Sequence, residues 1–302
     1  MQAVEQLIAG HQSITLTDTN KRYHSKGPAL PLLLINNAYC EAVVALQGAQ
    51  LLEFTPHGSK PLLWLSPNAN FIPGQAVRGG IPVCLPWFGV NQLDPEKPKH
   101  GFVRNRDWQL SRAETTAGGA TQLTFLFTYA QLEPELFTFP FSVELVVTLS
   151  DAIGLQISTT NSGAAAMPFS WAFHSYHPVS NLSAVRIEGL ESKRYLDNTR
   201  GLAAAIQDGA ISFQGEVDRV YENVASTQVI KSTPAISVTG ENCDSAIVWN
   251  PGADNAAAMA DIGASHHKQF VCLERGAALN NAWTLSPGEV RVSRLTINAI
   301  SQ

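Results

Sequence analysis

The chain has 302 residues, of which 45% are hydrophobic, so it can bury a core as one large β domain or as two ordinary ones. Its formal net charge is −5, and the basic residues form no extended run, which argues against a long surface for nucleic acid or acidic lipid. Met1 to His11 carries no signal-like segment, and apolar runs such as Leu30 to Ile35 are too short to span a bilayer. We therefore expect a cytoplasmic protein without a nucleic-acid or membrane partner.

Short segments rich in β-branched and aromatic residues recur along the whole chain and predict strands. Helical periodicity is confined to the N-terminus, around Val4 to Ala9, and to short stretches near Leu132 to Phe137 and Ala253 to Ala260. The predicted strands are, in chain order, Ser13 to Thr17, Leu32 to Ile35, Glu41 to Leu46, Leu51 to Phe54, Gln122 to Tyr129, Ser142 to Leu149, Leu155 to Thr159, Phe169 to His174, Ala184 to Glu188, Ala235 to Thr239, Ala246 to Trp249, Phe270 to Leu273 and Val290 to Asn298.

This pattern predicts an all-β protein, specifically a large antiparallel β-sandwich. No low-complexity linker divides the chain, so residues 1–302 are predicted to form a single domain. The cysteines stand apart in sequence and form no Cys-x-x-Cys pair, which predicts buried free thiols at Cys40, Cys84, Cys243 and Cys272.

The most unusual stretch runs from Arg78-Gly79-Gly80-Ile-Pro to Gly89 and continues from Lys99 to Trp108. Its prolines and glycines predict an irregular, rigid binding loop, in which Gly79-Gly80 would let a ligand approach the backbone closely. Arg78, Lys99, Arg104 and Arg106 concentrate positive charge, and an arginine fork matches the oxygens of a phosphoryl group. If Val103 to Asp107 is extended, Arg104 and Arg106 share one face, either towards the site or towards solvent.

The block RGGIPVCLPWFG followed by HGFVRNRDW resembles the aldose 1-epimerase superfamily, specifically its hexose-6-phosphate mutarotase (glucose-6-phosphate 1-epimerase) branch. The resemblance implies a galactose mutarotase-like β-supersandwich over nearly the whole chain. It also implies that Arg78, Lys99 and Arg104 hold the substrate phosphate and that His100 lines the sugar site.

Opening a cyclic hemiacetal requires a base at the anomeric hydroxyl and an acid at the ring oxygen. His174 follows an apolar run, and Glu274 ends another apolar strand, Phe270 to Leu273. The resemblance supports His174 as the acid and Glu274 as the base, and implies that Asp218, before a short strand, binds sugar hydroxyls. Arg275 would lower the pKa of Glu274 if it reached that carboxylate.

Two histidine pairs raise further questions. His174 and His177 stand three residues apart, so in an extended strand they would point to opposite faces and could not chelate one metal ion together. Whether His177 and Arg106 face the site is left open. His266 and His267 are predicted to lie in an exposed loop without a role.

The sequence contains no nucleotide-binding loop, dinucleotide fingerprint or paired metal ligands, so no cofactor and no metal are expected. The predicted function is interconversion of the α and β anomers of a phosphorylated hexose, a small-molecule substrate, by a monomer. Two alternatives stay open: an aldose 1-epimerase for unphosphorylated sugars, which would not need the cationic cluster, and a non-catalytic carbohydrate-binding protein, which would not need His174 and Glu274. A lyase for acidic polysaccharide would be expected to show a longer basic groove.

Overall fold

The computed structural model describes residues 1–300 of the chain, so the last two residues of the predicted 1–302 domain lie outside the described residues. Its N-terminal part contains helix α1 (Gln2–Ile8), helix α2 (Thr19–Tyr23) and an antiparallel four-stranded sheet. This sheet consists, in spatial order, of β1 (Ile14–Asp18), β2 (Pro31–Asn36), β3 (Cys40–Ala45) and β4 (Leu51–Pro56). Asp18 caps α2 by accepting a hydrogen bond from the Lys21 backbone N–H.

A large antiparallel sheet, called here the site sheet, carries Asp218 and Glu274, two of the predicted site residues. Its spatial order is β15-β14-β16-β19-β20-β11-β5, and β12 also pairs with β20. The strands are β5 (Val83–Cys84), β11 (Trp171–Phe173), β12 (Tyr176–Pro178), β14 (Arg194–Asp197), β15 (Ala203–Ile206), β16 (Val217–Glu222), β19 (Ser245–Asn250) and β20 (Phe270–Ala277). Every residue of β20 is buried, which is expected for a strand with neighbours on both of its edges and on both of its faces.

The second large sheet, called here the backing sheet, is also antiparallel, with the order β13-β17-β18-β22-β9-β8-β7-β6. Buried and less buried residues alternate along β8 and β9, the two-residue period of a strand that packs one face against a core. Its strands are β6 (Gln109–Thr115), β7 (Thr121–Tyr129), β8 (Phe141–Leu149), β9 (Ile153–Asn161), β13 (Arg186–Glu188), β17 (Thr227–Lys231), β18 (Ala235–Glu241) and β22 (Val290–Ile300).

One continuous cluster of buried apolar side chains draws on all three sheets described above. It includes Leu33 of β2, Phe141 of β8 and Leu273 of β20, each of which is completely buried. The remaining elements are β10 (Met167–Phe169) paired with β21 (Trp283–Leu285), helix α3 (Gly252–Ala258), and short 3₁₀ helices at Val103–Asn105, Asn198–Arg200, His266–Gln269 and Leu279–Asn281.

The predicted all-β antiparallel sandwich is confirmed. Of the two short turns predicted outside the N-terminus, Leu132 to Phe137 forms turns and bends, and Ala253 to Ala260 coincides within two residues with helix α3. All four cysteines are free and buried, as expected. None of the helices in residues 1–300 is long and apolar enough to cross a membrane. That the chain forms a single domain stays a prediction.

Candidate active site

A cavity of about 480 Å³, called here the central cavity, brings the seven predicted site residues together. They come from loops and strands up to 196 positions apart in the chain, so only the fold places them side by side. The seven are Arg78, Lys99, His100, Arg104, His174, Asp218 and Glu274. Their location on one cavity is therefore a property of the structure, while the role of each residue stays a prediction.

His174 and Glu274 face each other because a break between two short strands lies opposite β20. Phe173, the last residue of β11, pairs with Arg275, and Tyr176, the first residue of β12, pairs with Cys272. His174 sits in the gap between β11 and β12, where its backbone N–H donates to the Pro82 carbonyl over 2.9 Å. Its Nδ1 atom then lies 3.4 Å from Oε1 of Glu274.

Both members of this pair are almost completely removed from water, with exposed fractions of 5% for His174 and 1% for Glu274. Burial lowers the pKa of His174 well below its usual value, and the nearby His100, Arg104 and Arg78 lower it further. Burial raises the pKa of Glu274 well above its usual value, Asp218 adds to this, and Arg104 opposes it. Within residues 1–300, Nδ1 of His174 and Oε2 of Glu274 have no hydrogen-bond partner, so both atoms can still take part in proton transfer.

Arg104 reaches the central cavity from the 3₁₀ helix Val103–Asn105, and its Nη2 donates to the Lys99 carbonyl over 2.9 Å. Because this segment is helical, Arg104 and Arg106 do not share a face, and the extended arrangement considered from the sequence is wrong. Arg106 does not line the cavity and instead makes a two-pronged ion pair with Glu133, with Nη2 to carboxylate distances of 2.9 and 2.7 Å.

Gly79 and Gly80 are required for packing and do not open the backbone to a ligand, so this part of the sequence interpretation was wrong. Both have positive φ, 117° and 62°. A Cβ atom on Gly79 would lie 2.5 Å from the Trp64 carbonyl oxygen, and one on Gly80 would collide with the Leu51 carbonyl oxygen. The two glycines thus hold the Arg78 loop against strand β4 and the segment that follows it.

His100 occupies the left-handed region with φ of 67°, which is uncommon for a residue with a side chain. Two contacts with Gly89 hold it: its backbone N–H donates to the Gly89 carbonyl over 2.7 Å, and its Nδ1 accepts from the Gly89 N–H over 3.3 Å. Nδ1 is therefore an acceptor, and a neutral His100 carries its proton on Nε2. Burial lowers the pKa of His100 to about 3, and Arg104, Arg78 and Lys99 contribute, which keeps this ring neutral in an electropositive site.

Arg78 is held by three residues that the sequence analysis did not single out as site residues. Its Nε donates to Oδ2 of Asp261 and its Nη1 donates to the Tyr176 hydroxyl, both over 2.9 Å. Its guanidinium carbon lies 5.9 Å from the ring centre of Trp249. Tyr176 could have been found from the sequence, because it follows His174 by two positions, whereas Asp261 and Trp249 carry no local signal.

Asp218 is the second residue of β16 and pairs with Trp249 across the strands, so it lies within the strand instead of before it. Asn198 donates to its Oδ2 over 3.1 Å. Burial raises the pKa of Asp218 to about 6, with smaller contributions from Glu216 and Asp197, while Asn198 opposes the increase. At neutral pH the group is ionised and can accept hydroxyl protons from a sugar.

His177 and Arg275 do not belong to the central cavity. His177 is completely buried, and its Nδ1 lies 3.1 Å from the Leu62 carbonyl oxygen. Arg275 is directed away from Glu274 into the space between the site sheet and the backing sheet. The condition considered from the sequence, that Arg275 reaches the carboxylate and lowers its pKa, is therefore not met. His267 is buried in a 3₁₀ helix, which corrects its prediction as part of an exposed loop.

The fold also brings three potential metal ligands together, His174, Cys272 and Glu274, with donor atoms within 4.8 Å of one another. Two features oppose a cation at this place. Burial raises the pKa of the Cys272 thiol well above its usual value, so the thiolate that a metal requires is disfavoured. Arg78 and Arg104 line the same cavity and repel a cation. The absence of a metal cofactor stays a prediction.

A larger cavity of about 740 Å³ adjoins the central cavity and shares Glu216 and Asn255 with it. None of the seven predicted site residues lines it. Among the described residues, the groups with strongly shifted pKa values that also face a cavity belong to the smaller, central one, which makes the central cavity the candidate active site.

Comparison with known proteins identifies the family of the chain. The family model described as aldose 1-epimerase matches residues 31–298. A protein of Cenchrus ciliaris that carries the name "Putative glucose-6-phosphate 1-epimerase" is 34% identical over 273 residues, which cover 86% of this chain and 82% of the relative. A protein of Escherichia coli (strain K12) with the same name is 33% identical over 253 residues, which cover 82% of this chain and 84% of the relative.

The crystal structure of a protein from Salmonella typhimurium, described as "a putative mutarotase", superposes with a TM-score of 0.84 at 26% identity. The superposition covers 94% of this chain and 99% of the Salmonella chain, which confirms the mutarotase-type fold. The family match spans most of the chain and includes all seven residues of the central cavity that the sequence analysis predicted. The chain therefore belongs to the aldose 1-epimerase family of carbohydrate epimerases.

Proposed function

We propose that the protein is a glucose-6-phosphate 1-epimerase, a hexose-6-phosphate mutarotase that acts without a cofactor. The observation that carries this proposal is the pairing, in one cavity of about 480 Å³, of a cationic set with a buried acid–base pair. Arg78, Lys99 and Arg104 supply the positive charge for a phosphoryl dianion, and His174 with Glu274 supplies the proton transfers. The names of the relatives from Cenchrus ciliaris and Escherichia coli support the same substrate.

The reaction moves two protons and breaks one bond of the sugar ring. Glu274 removes the proton from the hydroxyl on C1 while His174 gives a proton to the ring oxygen, and the bond between C1 and the ring oxygen breaks to leave an open-chain aldehyde. Rotation about the C1–C2 bond then presents the other face of the aldehyde. Glu274 returns its proton to the carbonyl oxygen as the hydroxyl on C5 attacks C1 and gives its proton back to His174.

The protonation states favoured by burial are those of the open-chain intermediate of this reaction. Ring opening converts an ionised Glu274 and a protonated His174 into a neutral acid and a neutral imidazole, and these are the forms that burial favours for the two groups. The pair holds the same number of protons before and after ring opening, so no proton has to enter from solvent. A bound phosphoryl dianion favours the protonated His174 and thereby prepares the pair for the first step.

Two alternative functions can be distinguished from this one by experiment. An aldose 1-epimerase for unphosphorylated sugars would use the same acid and base and would not need Lys99 at the rim of the cavity. A carbohydrate-binding protein without activity would bind sugar and leave the rate of anomer exchange unchanged. Monomeric state and cytoplasmic location stay predictions from the sequence.

The test is NMR exchange spectroscopy between the α and β anomers of glucose 6-phosphate and, separately, of glucose. We expect acceleration that favours the phosphorylated sugar. In Lys99→Met, the KM for glucose 6-phosphate should rise by about tenfold at low ionic strength because one cation of the set is lost, while exchange of glucose stays unchanged. Lys97→Met is the matched control, since Lys97 does not line the cavity. Equal acceleration of both sugars would favour the general aldose epimerase, and no acceleration of either would contradict the proposal.

A further inference from the structure

The orientation of His174 is fixed by ring packing, and this is unusual for a catalytic histidine. Its Nδ1 has no hydrogen-bond partner within residues 1–300, and the 3.4 Å to Glu274 is longer than a good hydrogen bond. Instead, the imidazole lies flat against the Tyr176 ring, with centroids 4.7 Å apart and planes 7° from parallel. The rings of His100 and Trp249 meet His174 edge-on, at 5.5 and 5.9 Å. The position of Tyr176 therefore sets the plane of His174.

Tyr176 is in turn tied to the predicted phosphate-binding arginine. It is 2% exposed, and its hydroxyl accepts a hydrogen bond from Nη1 of Arg78 over 2.9 Å. Arg78 and His174 also share Trp249 as a neighbour, since the Arg78 guanidinium lies over this ring. A continuous series of contacts, Arg78 to Tyr176 to His174, thus joins the phosphate end of the cavity to the acid.

Asp261 keeps Arg78 in place independently of Tyr176. The Asp261 carboxylate accepts a hydrogen bond from Nε of Arg78 over 2.9 Å, and the Arg78 side chain is only 24% exposed. These two contacts use two of the five N–H groups of the guanidinium, and the structure gives the guanidinium no third hydrogen-bond partner within residues 1–300. The remaining N–H groups are available to a ligand in the central cavity, which Arg78 lines.

We propose that Tyr176 is a positioning residue through which a phosphoryl dianion bound at Arg78 aligns His174 for proton transfer. This inference rests on the proposed function and deepens it. The phosphoryl group then does more than anchor the substrate: part of its binding energy is used to hold the acid in its working orientation, so it raises the rate of the chemical step as well as affinity.

The experiment separates the sugar from the dianion. D-Xylose has the ring and anomeric centre of glucose without C6, so it leaves the phosphoryl position free for added phosphite dianion. We expect phosphite to accelerate xylose anomer exchange in a saturable manner, by at least about tenfold, when ionic strength is held constant with chloride. The readout is anomer exchange by NMR, with glucose 6-phosphate as the reference substrate.

Tyr176→Phe keeps the stacked ring and removes the hydroxyl, while Asp261 still holds Arg78. We expect the Kd for glucose 6-phosphate to change by less than about threefold, whereas kcat and phosphite activation each fall by about fivefold or more. Tyr195→Phe is the matched control, because Tyr195 also contacts an arginine, with Arg219 4.7 Å from its ring centre, but does not line the central cavity. It should leave both activities unchanged.

The outcomes are distinct. If glucose 6-phosphate is turned over but phosphite does not activate xylose exchange, or if Tyr176→Phe retains full activation, the coupling through Tyr176 is wrong and the proposed function stands. If Tyr176→Phe weakens binding and activation to the same extent, the tyrosine only supports Arg78, and the coupling is also wrong. If glucose 6-phosphate is not turned over at all, the proposed function fails and the coupling fails with it.

Discussion

Glu274 and Arg275 are neighbours on β20, one an acid and the other a base, and each is 1% exposed, yet their surroundings differ. Arg275 points between the two large sheets and is surrounded by acceptors. Its Nη1 donates to the Ala225 and Ser226 carbonyls and to Gln228, and its Nη2 donates to the Cys243 carbonyl over 2.6 Å. Both terminal nitrogens of the guanidinium thus replace lost water with protein acceptors, and only its Nε has no partner within residues 1–300.

Glu274 points to the other side of the same strand and receives no such compensation. Within the described residues, its Oε2 has no hydrogen-bond partner and no lysine or arginine forms a salt bridge with it. The hydrogen-bonded Arg275 is typical of a structural residue. The carboxyl of Glu274 has a raised pKa and a free lone pair, which are properties expected of a group that transfers protons. The sequence shows both only as a Glu-Arg dipeptide.

The largest effect expected from this comparison is the loss of catalysis in Glu274→Gln. The amide has nearly the same shape but cannot accept the proton from the C1 hydroxyl, so anomer exchange of glucose 6-phosphate should fall by about 10²- to 10⁴-fold. His174→Ala should fall within the same range because it removes the acid. NMR exchange measures both rates, and circular dichroism checks that the variants are folded. Near-normal exchange in both variants would show that the reaction does not use this pair.

Arg275→Met tests the structural half of the comparison. Methionine is similar in length but removes the donor to the Cys243 carbonyl and to Oε1 of Gln228, while the Ala225 and Ser226 carbonyls keep one donor each. We therefore expect a loss of about 3 kcal/mol in the free energy of unfolding and a Tm lower by about 5–10 °C. The kcat at 25 °C should stay within about threefold of the original protein. Arg291→Met, at a half-exposed salt bridge with Glu289, is the control with little expected effect. A large loss of kcat with unchanged Tm would show that Arg275 contributes to activity and not to stability.

Long strands could be predicted from the sequence, whereas short strands could not. Long alternating strands such as β8 and β9 are visible locally, because their two-residue period follows from one buried face. Short strands such as β12 and β14 were not predicted, since three or four residues carry little periodicity and their pairing partners lie far away in the chain. The helical turn that separates Arg104 from Arg106 was missed for the same reason.

The site shows the same division. His174 and Glu274 could be predicted because each follows an apolar run, and Arg78 and Arg104 stand in an unusual loop whose resemblance to a known family is specific. Asp261 could not, because its contact with Arg78 joins positions 183 residues apart and an exposed-looking aspartate has no pattern of its own. Gly79 and Gly80 were misread because a sequence does not tell whether a glycine admits a ligand or another part of the chain.

A smaller effect concerns the pH dependence of stability. Because the pKa of Glu274 is raised in the folded state, the folded protein keeps a proton that the unfolded chain releases above about pH 4.3. The stability contributed by this group is therefore present at low pH and is lost as pH rises. Glu274→Gln lacks this loss, so its Tm relative to the original protein should increase steadily between pH 5 and 8. Calorimetry over this range measures it, with Glu144→Gln on the exposed face of β8 as control. A difference in Tm that stays constant with pH would show that the carboxyl is ionised in the folded protein.

The smallest effect is expected at Asp218, the carboxylate predicted to bind sugar hydroxyls. Its pKa is raised to about 6 by burial, so as pH falls from 8 to 5 the group takes up a proton and loses acceptor capacity for sugar hydroxyls. We expect the KM for glucose 6-phosphate to rise over this interval. In Asp218→Asn, the KM should be about tenfold higher at pH 8 and should change little towards pH 5, because the titrating group is gone. Asp208→Asn, at an exposed position outside the cavity, should retain the original profile. If Asp218→Asn keeps the same rise in KM at low pH, another group is responsible, and Asp218 acts on the site only by raising the pKa of Glu274.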